Sequence, residues 1–107
     1  MNLNRFSGNP ILMPKSENAW ESKLVFNPGS YLSGNKIHIL YRAVDKNNIS
    51  HIGYASSIDG FKIDERLEKP VIISEYEWEN LGIEDVRVNT IDENIYITYT
   101  AYSTNGP

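Results

Sequence analysis

Alternation between apolar and polar side chains is the dominant pattern along this chain. It is clearest in Lys36–Ala43 and Ile95–Tyr102, where every second residue is apolar or aromatic. A period of two predicts β-strands, and the β-branched and aromatic residues of both stretches fit a pleated surface. No segment has the period of a sustained helix. The pattern therefore predicts an all-β protein.

A further hairpin is predicted between these two strands. Ile49–Ser57 is typical of a strand, Asp59-Gly60 of a tight turn, and Phe61–Asp64 of the returning strand. Most of the prolines fall in or beside the predicted loops, where a missing backbone N–H costs least. The first part of the chain therefore holds about four strands.

An internal repeat relates the two alternating stretches. Residues 27–43 align with residues 85–101 without a gap, at an offset of 58 residues, and the predicted hairpin turns at 33–35 and 91–93 coincide. A β-sheet unit used twice in this way favours propeller blades. The alignment makes Asn27 and Asp85 equivalent, and we expect each to begin the innermost strand of its unit and to face a shared axial pocket.

Composition narrows the classes of function. The chain has 107 residues, 40% hydrophobic and 22% charged, as in an ordinary globular domain. A net charge of −4 without a basic run argues against a nucleic-acid partner. The absence of cysteine fits a reducing compartment, and residues 1–15 have no signal-peptide core, so we expect a cytoplasmic protein without a membrane partner. His38 and His51 are isolated, which predicts structural roles and no metal site.

A series of short motifs follows along nearly the whole chain. They are N-P-I-L-M-P-K (residues 9–15), N-A-W-E-S (18–22), F-N-P-G (26–29), L-Y-R-A (40–43), G-Y-A-S-S-I-D-G (53–60), G-I-E-D-V-R (82–87) and Y-I-T-Y-T-A-Y-S (96–103). Together they resemble the N-terminal portion of glycoside hydrolase family 130. Two positions depart from the family's common residues, Val86 for Pro and His51 for Arg, which leaves the preferred mannoside open.

The resemblance implies a five-bladed β-propeller with substrate bound at its axial end. This chain would supply about two-fifths of it, one blade plus a hairpin of the second. Within a single incomplete domain, we expect an N-terminal segment at 1–26, the first blade at 27–75 and the start of the second blade at 76–107. The unfinished sheet leaves exposed edges, so self-association is expected.

The family contains β-mannoside phosphorylases and β-mannoside hydrolases. The resemblance therefore implies a parent enzyme that transfers mannosyl to inorganic phosphate with inversion, giving mannose 1-phosphate, with a β-mannoside oligosaccharide and phosphate as partners and no cofactor. We expect the chain by itself to be inactive. A hydrolase of the same family and a non-catalytic carbohydrate-binding or assembly fragment are the alternatives.

Inverting cleavage requires an acid that protonates the leaving oxygen and a nucleophile on the opposite face of the sugar. Phosphate is already anionic, so one catalytic carboxyl and basic side chains suffice. The resemblance places the acid at Asp85, and in a complete parent enzyme we expect partial desolvation in the axial pocket and neighbouring Glu84 to raise its pKa. Spacing alone favours a structural carboxylate that bonds nearby amides or pairs with Arg87.

Several further side chains are candidates for binding substrate. The resemblance matches Asn27 and Arg42 to sugar-contacting positions, and their donors suit a polyol. Glu84 is expected to support the site, and Arg87 either to contact phosphate or sugar or, as we favour, to pair with Asp85.

Aromatic side chains are the remaining candidates. Tyr102, Trp20 and Trp78 are possible stacking platforms for a pyranose ring, with core packing as the alternative.

Overall fold

The computed structural model describes residues 1–107 and contains six β-strands and two single 3₁₀ turns. The all-β prediction is confirmed, and no helix is long and apolar enough to cross a membrane. The strands are β1 (Leu24–Ser33), β2 (Lys36–Val44), β3 (Ser50–Ser57), β4 (Glu65–Arg66), β5 (Gly82–Ile91) and β6 (Asn94–Tyr102), and the 3₁₀ turns are Ala19–Glu21 and Glu77–Glu79.

Strands β1 to β4 form one antiparallel unit in chain order, and β5 and β6 form the hairpin of a second. The units join through a single parallel pair between Ser50 and Gly82. Gly82 has a φ of 116°, and a Cβ there would lie 2.6 Å from the Ser50 backbone. Only glycine therefore fits this junction.

The two hairpins repeat one another, as the alignment predicted. A two-residue turn joins β1 to β2 at Gly34-Asn35, and another joins β5 to β6 at Asp92-Glu93. Asn27 and Asp85 occupy the same place, the fourth residue of β1 and of β5. Their equivalence is confirmed, whereas the expectation that each begins its strand is wrong, because β1 already starts at Leu24 and β5 at Gly82.

The return strand of the first unit begins later than predicted. Residues 61–64 form a loop, and β4 pairs with β3 only at Glu65 and Arg66. Asp59 Oδ1 accepts the backbone N–H groups of Phe61 and Lys62, at 2.8 and 3.1 Å. Because this carboxylate satisfies the amides locally, the chain turns before it can rejoin the sheet.

Two apolar clusters hold the sheet together. One fills the junction between the units, where Leu40 and Ile52 of the first pack against Ile83 and Val86 of the second. The other covers the opposite face of the first unit and contains Tyr41, Ala43 and Ala55, with Leu12, Trp20, Val25 and Ile63 around them. The junction cluster brings β5 beside the first unit and so positions Glu84 and Asp85 next to Arg42.

Candidate active site

Asn27 and Asp85 lie at matching β-bulges. The register shifts between Phe26 and Gly29 in β1 and between Glu84 and Arg87 in β5, so each bulge adds one residue to its strand. Asn27 has a φ of 46° and Asp85 a φ of 51°. This left-handed conformation is tolerated best by asparagine and aspartate among residues with a side chain. The bulges direct the two side chains toward each other, with Asn27 Nδ2 donating to Asp85 Oδ1 at 2.9 Å.

Arg42 binds both acidic residues of β5. Its Nη1 donates to Asp85 Oδ1 at 3.3 Å, and its Nη2 donates to Glu84 Oε1. Its Nε donates to Ser50 Oγ at 3.0 Å, and the guanidinium lies 4.8 Å from the centre of the Phe26 ring. Arg42 is held firmly in place, because each of its three guanidinium nitrogens donates a hydrogen bond and only 18% of the side chain is exposed.

The pKa of Asp85 is lowered from its ordinary value. The hydrogen bond from Asn27 is the largest cause, and the charge of Arg42 adds to it, while partial burial acts in the opposite direction. In this chain 41% of the side chain is exposed and the donors outweigh desolvation. The raised pKa that we expect in a complete parent enzyme stays a prediction. Asp85 is ionised at neutral pH, and its Oδ2 accepts no hydrogen bond from the chain.

Arg87 does not form the predicted ion pair with Asp85. It is exposed and donates from Nη1 to the Val86 carbonyl oxygen at 2.9 Å. The bulge separates it from Asp85, since regular pairing resumes at Arg87 opposite Thr98. Glu84 supports the cluster as expected, accepting hydrogen bonds from Arg42 and from Ser50 Oγ, the latter at 3.2 Å.

The aromatic candidates have different environments. Tyr102 lies at the end of β6 opposite Gly82, and its hydroxyl makes no hydrogen bond. Trp20 packs in the core beside Tyr41, with ring centroids 6.3 Å apart, as the core-packing alternative predicted. Trp78 is 60% exposed and stacks on Tyr76. None of these three donates a hydrogen bond to Asp85, whose side-chain partners are Asn27 and Arg42.

The two histidines make contacts within the fold. His38 stacks on Tyr31 and its Nδ1 lies 2.8 Å from the Tyr54 hydroxyl. His51 Nε2 lies 3.6 Å from an Asp45 carboxylate oxygen. No group of three or more histidine, aspartate or glutamate side chains is arranged to hold a metal ion.

Sequence reasoning missed two contributors, Ser50 and Phe26. Phe26 and Glu84 each lie one residue before the aligned stretches, so extending the repeat by one residue would have indicated the place of Phe26 at the cluster. Ser50 had no such signal, because it reaches Arg42 only through the pairing of β2 with β3.

The cluster of Asn27, Arg42, Glu84 and Asp85 is an open surface at the junction of the two units. None of the cavities in the structure includes any of these residues; an apolar one of about 310 Å³ lies instead between the N-terminal segment and β1–β2. The free carboxylate oxygen of Asp85 can accept a hydrogen bond from a sugar hydroxyl, and the side-chain amide of Asn27 beside it can donate one. The arrangement therefore suits one wall of a polyol-binding site.

Comparison with known proteins gives a consistent result. A family model for glycoside hydrolase family 130, of β-1,4-mannooligosaccharide phosphorylase, matches residues 2–107. A β-1,2-mannobiose phosphorylase and a 1,2-β-oligomannan phosphorylase, both from Thermoanaerobacter sp. (strain X514), are 40% and 42% identical to the chain. Each alignment covers 94% of this chain but only 37% and 36% of the respective relative. The chain thus spans little more than a third of their length.

The three-dimensional structure agrees with the sequence comparison. The chain superposes with a TM-score of 0.85 and 31% identity on a solved structure from work showing that the GH130 family of mannoside phosphorylases contains glycoside hydrolases that target β-1,2 mannosidic linkages in Candida mannan. The superposition covers 92% of this chain and 33% of that chain. By sequence and by fold, the chain belongs to glycoside hydrolase family 130.

Proposed function

We propose that this sequence forms the first part of a five-bladed propeller enzyme, an inverting β-mannoside phosphorylase that produces mannose 1-phosphate. The observation that carries the proposal is the identity of 40% and 42% to two mannoside phosphorylases over nearly the whole chain. The repeated unit, with Asn27 and Asp85 at matching bulges beside each other, supports an axial site built from successive blades.

In the proposed reaction, Asp85 donates its proton to the leaving glycosidic oxygen as the bond from that oxygen to the anomeric carbon breaks. A phosphate oxygen attacks the opposite face of the same carbon, so the configuration inverts. Asn27 and Arg42 are proposed to bind sugar hydroxyls, and Glu84 holds Arg42 in place. Because phosphate carries its own charge, no second carboxyl is needed as a base.

The acid must hold a proton, whereas Asp85 in this chain is ionised. The exposed 41% of its side chain is the part that substrate and further blades would cover. Desolvation and an adjacent phosphate both favour the neutral carboxyl, so we propose that the pKa of Asp85 rises when the pocket is complete and occupied.

The proposal is tested with a polypeptide of the relatives' length that carries this sequence. Mannose 1-phosphate is measured after incubation with a β-mannobiose and phosphate. Asp85→Asn should lower turnover by at least about a hundredfold, the scale of general acid catalysis, while Asn27→Ala should mainly raise KM.

Asp92→Asn is the matched control, because Asp92 also has a positive φ but lies in the β5–β6 turn. Near-normal turnover by Asp85→Asn would eliminate Asp85 as the acid. Lost activity accompanied by lost folding would instead support a structural role.

Hydrolysis is the second candidate function. It is favoured by the structural similarity of this chain to one solved in work on GH130 glycoside hydrolases that target β-1,2 mannosidic linkages. A hydrolase would need a carboxylate base from another part of the polypeptide to activate water. Release of free mannose at the same rate with and without phosphate would support it over phosphorolysis.

We further propose that the 107-residue chain alone does not carry out phosphorolysis, because its candidate site is an open surface from two units. Its partners in the longer protein would be a β-mannoside oligosaccharide and phosphate, without a cofactor. The absence of cysteine supports a cytoplasmic location. Phosphate-dependent product formation by the purified chain would contradict the proposed inactivity.

A further inference from the structure

Ser50 is a buried polar side chain at the point where the two units meet. It is the first residue of β3, its backbone pairs with Gly82 of β5, and it is 1% exposed. The cluster that fills the junction is apolar. A hydroxyl buried there has to find its hydrogen-bond partners within the chain.

The Ser50 hydroxyl links a cation and an anion of the candidate site. Its Oγ accepts from Arg42 Nε at 3.0 Å and donates to Glu84 Oε1 at 3.2 Å. Glu84 Oε1 also accepts from Arg42 Nη2, whereas Glu84 Oε2 accepts no hydrogen bond from the chain. The three side chains therefore form a closed triangle in which Glu84 uses only one of its two oxygens.

The shape of the guanidinium gives this triangle its significance. Nε and Nη2 lie along one edge of the planar group, and such an edge can bind both oxygens of one carboxylate. Here Ser50 Oγ occupies the position at Nε, so Glu84 reaches only Nη2. Nη1 remains available for Asp85 Oδ1 at 3.3 Å, the longest of the hydrogen bonds that Arg42 donates. That bond is the first to be lost if the guanidinium turns.

We propose that Ser50 is a positioning residue of the site, whose hydroxyl prevents Glu84 from binding Arg42 through both oxygens and so keeps Arg42 divided between Glu84 and Asp85. Without the hydroxyl, Glu84 Oε2 would take the position at Nε, and Nη1 would turn away from Asp85. The effect on turnover rests on the proposed function, whereas the effect on Arg42 does not.

The groups around Asp85 determine the direction of the effect. The Asn27 hydrogen bond is the largest cause of the lowered pKa of Asp85, Arg42 lowers it by charge and by hydrogen bonding, and the charge of Arg87 adds to this, while partial burial raises it. The adjacent Glu84 charge also favours the neutral acid. Loss of the Arg42 contact leaves the Asn27 and Arg87 contributions, so the pKa of Asp85 should rise part of the way toward its ordinary value.

Nuclear magnetic resonance titration of the Asp85 carboxyl in the 107-residue chain tests this. Ser50→Ala should raise the measured pKa of Asp85, and Ser50→Thr, which keeps a hydroxyl, should restore the wild-type value. Ser56→Ala is the matched control, because Ser56 is equally buried on the same face of β3 but donates to Glu65 at 3.2 Å. It should leave the titration of Asp85 unchanged.

Glu84→Gln isolates the cause. Glutamine has a single acceptor oxygen and cannot bind Arg42 through two, so adding Ser50→Ala to Glu84→Gln should not raise the pKa of Asp85 further. The proposal is overturned if Ser50→Ala fails to raise that pKa, or if the same rise appears in the Glu84→Gln background. Rapid solvent exchange of the Arg42 Nε–H in the wild-type chain would also overturn it, whether or not the alanine variant folds.

Turnover is measured in the polypeptide of the relatives' length. Ser50→Ala should raise KM for β-mannobiose by about tenfold, the scale of one hydrogen bond to a charged group, with kcat changed by less than about threefold. A lower kcat with an unchanged KM would overturn the role in sugar binding. A wild-type polypeptide without phosphorolysis would contradict the proposed function alone, because the titration of Asp85 decides the role of Ser50 separately.

Discussion

Arg66→Met tests whether the buried ion pair between Arg66 and Glu21 stabilises the first unit. Glu21 is fully buried, and the Arg66 side chain is 10% exposed. Methionine keeps most of the apolar stem that packs against Tyr41, where the guanidinium now lies 5.5 Å from the ring centre. The change therefore removes the charge and its hydrogen bonds with little change in volume.

The expected loss follows from the partners that Glu21 keeps. Removing one member of a buried ion pair costs about 3–5 kcal/mol, because the other charge is left buried. Tyr41 and Asn18 still donate to Glu21, at 2.8 and 2.6 Å, which favours the lower end of that range. We therefore expect a free energy of unfolding lower by about 3 kcal/mol, equivalent to more than about 10 °C in Tm for a chain of this size.

Urea and thermal unfolding, followed by circular dichroism, measure the loss. Lys62→Met is the control, because Lys62 is 72% exposed and its pair with Asp64 spans 3.8 Å. An exposed pair of this kind contributes about 0–1 kcal/mol. If Arg66→Met costs no more than Lys62→Met, the buried pair does not stabilise the unit and the reasoning is refuted.

Three further predictions concern pH, packing and association. The lowered pKa of Asp85 means that its contacts stabilise the fold above its ordinary pKa of about 3.9 and lose this effect as the pH falls through the folded value. The stability difference between wild type and Asp85→Asn should accordingly shrink on acidification in urea titrations, and a difference independent of pH would contradict this. Gly29→Ala would place a Cβ 3.0 Å from Val88 Cγ2, so it should cost about 1–3 kcal/mol, whereas the exposed Ser30→Ala should cost almost nothing. The free edge of β6 should make the isolated chain self-associate with rising concentration in light scattering, and a monomer at every concentration would exclude this.

The regular parts of the fold were predictable because their signals are local. Alternation places Ile37, Ile39 and Tyr41 on one side of β2, and the same pattern recurs in β6. Hairpin turns also depend on neighbouring residues, as at Gly34 with its φ of 59°. The late start of β4 was missed because the competing Asp59 hydrogen bonds form a local loop that strand patterns do not register.

The candidate site was predictable only in part. The repeat and the family motifs identified Asn27 and Asp85 as equivalent, and the structure places their side chains in contact. The predicted pair between Asp85 and Arg87 failed because a bulge shifts the pleat between them, and bulges have only weak sequence signals.

The sequence by itself determined the all-β class, the repeated unit, the family and the equivalence of Asn27 with Asp85, since these depend on periodicity, spacing and motifs along the chain. Only the tertiary structure decided which charges meet. Arg42 reaches Glu84 and Asp85 because the apolar junction packs β5 against the first unit. The ionisation of Asp85 follows from those contacts, because the pKa of a carboxylate depends on the donors, charges and solvent around it. The order of residues along the chain does not specify these surroundings.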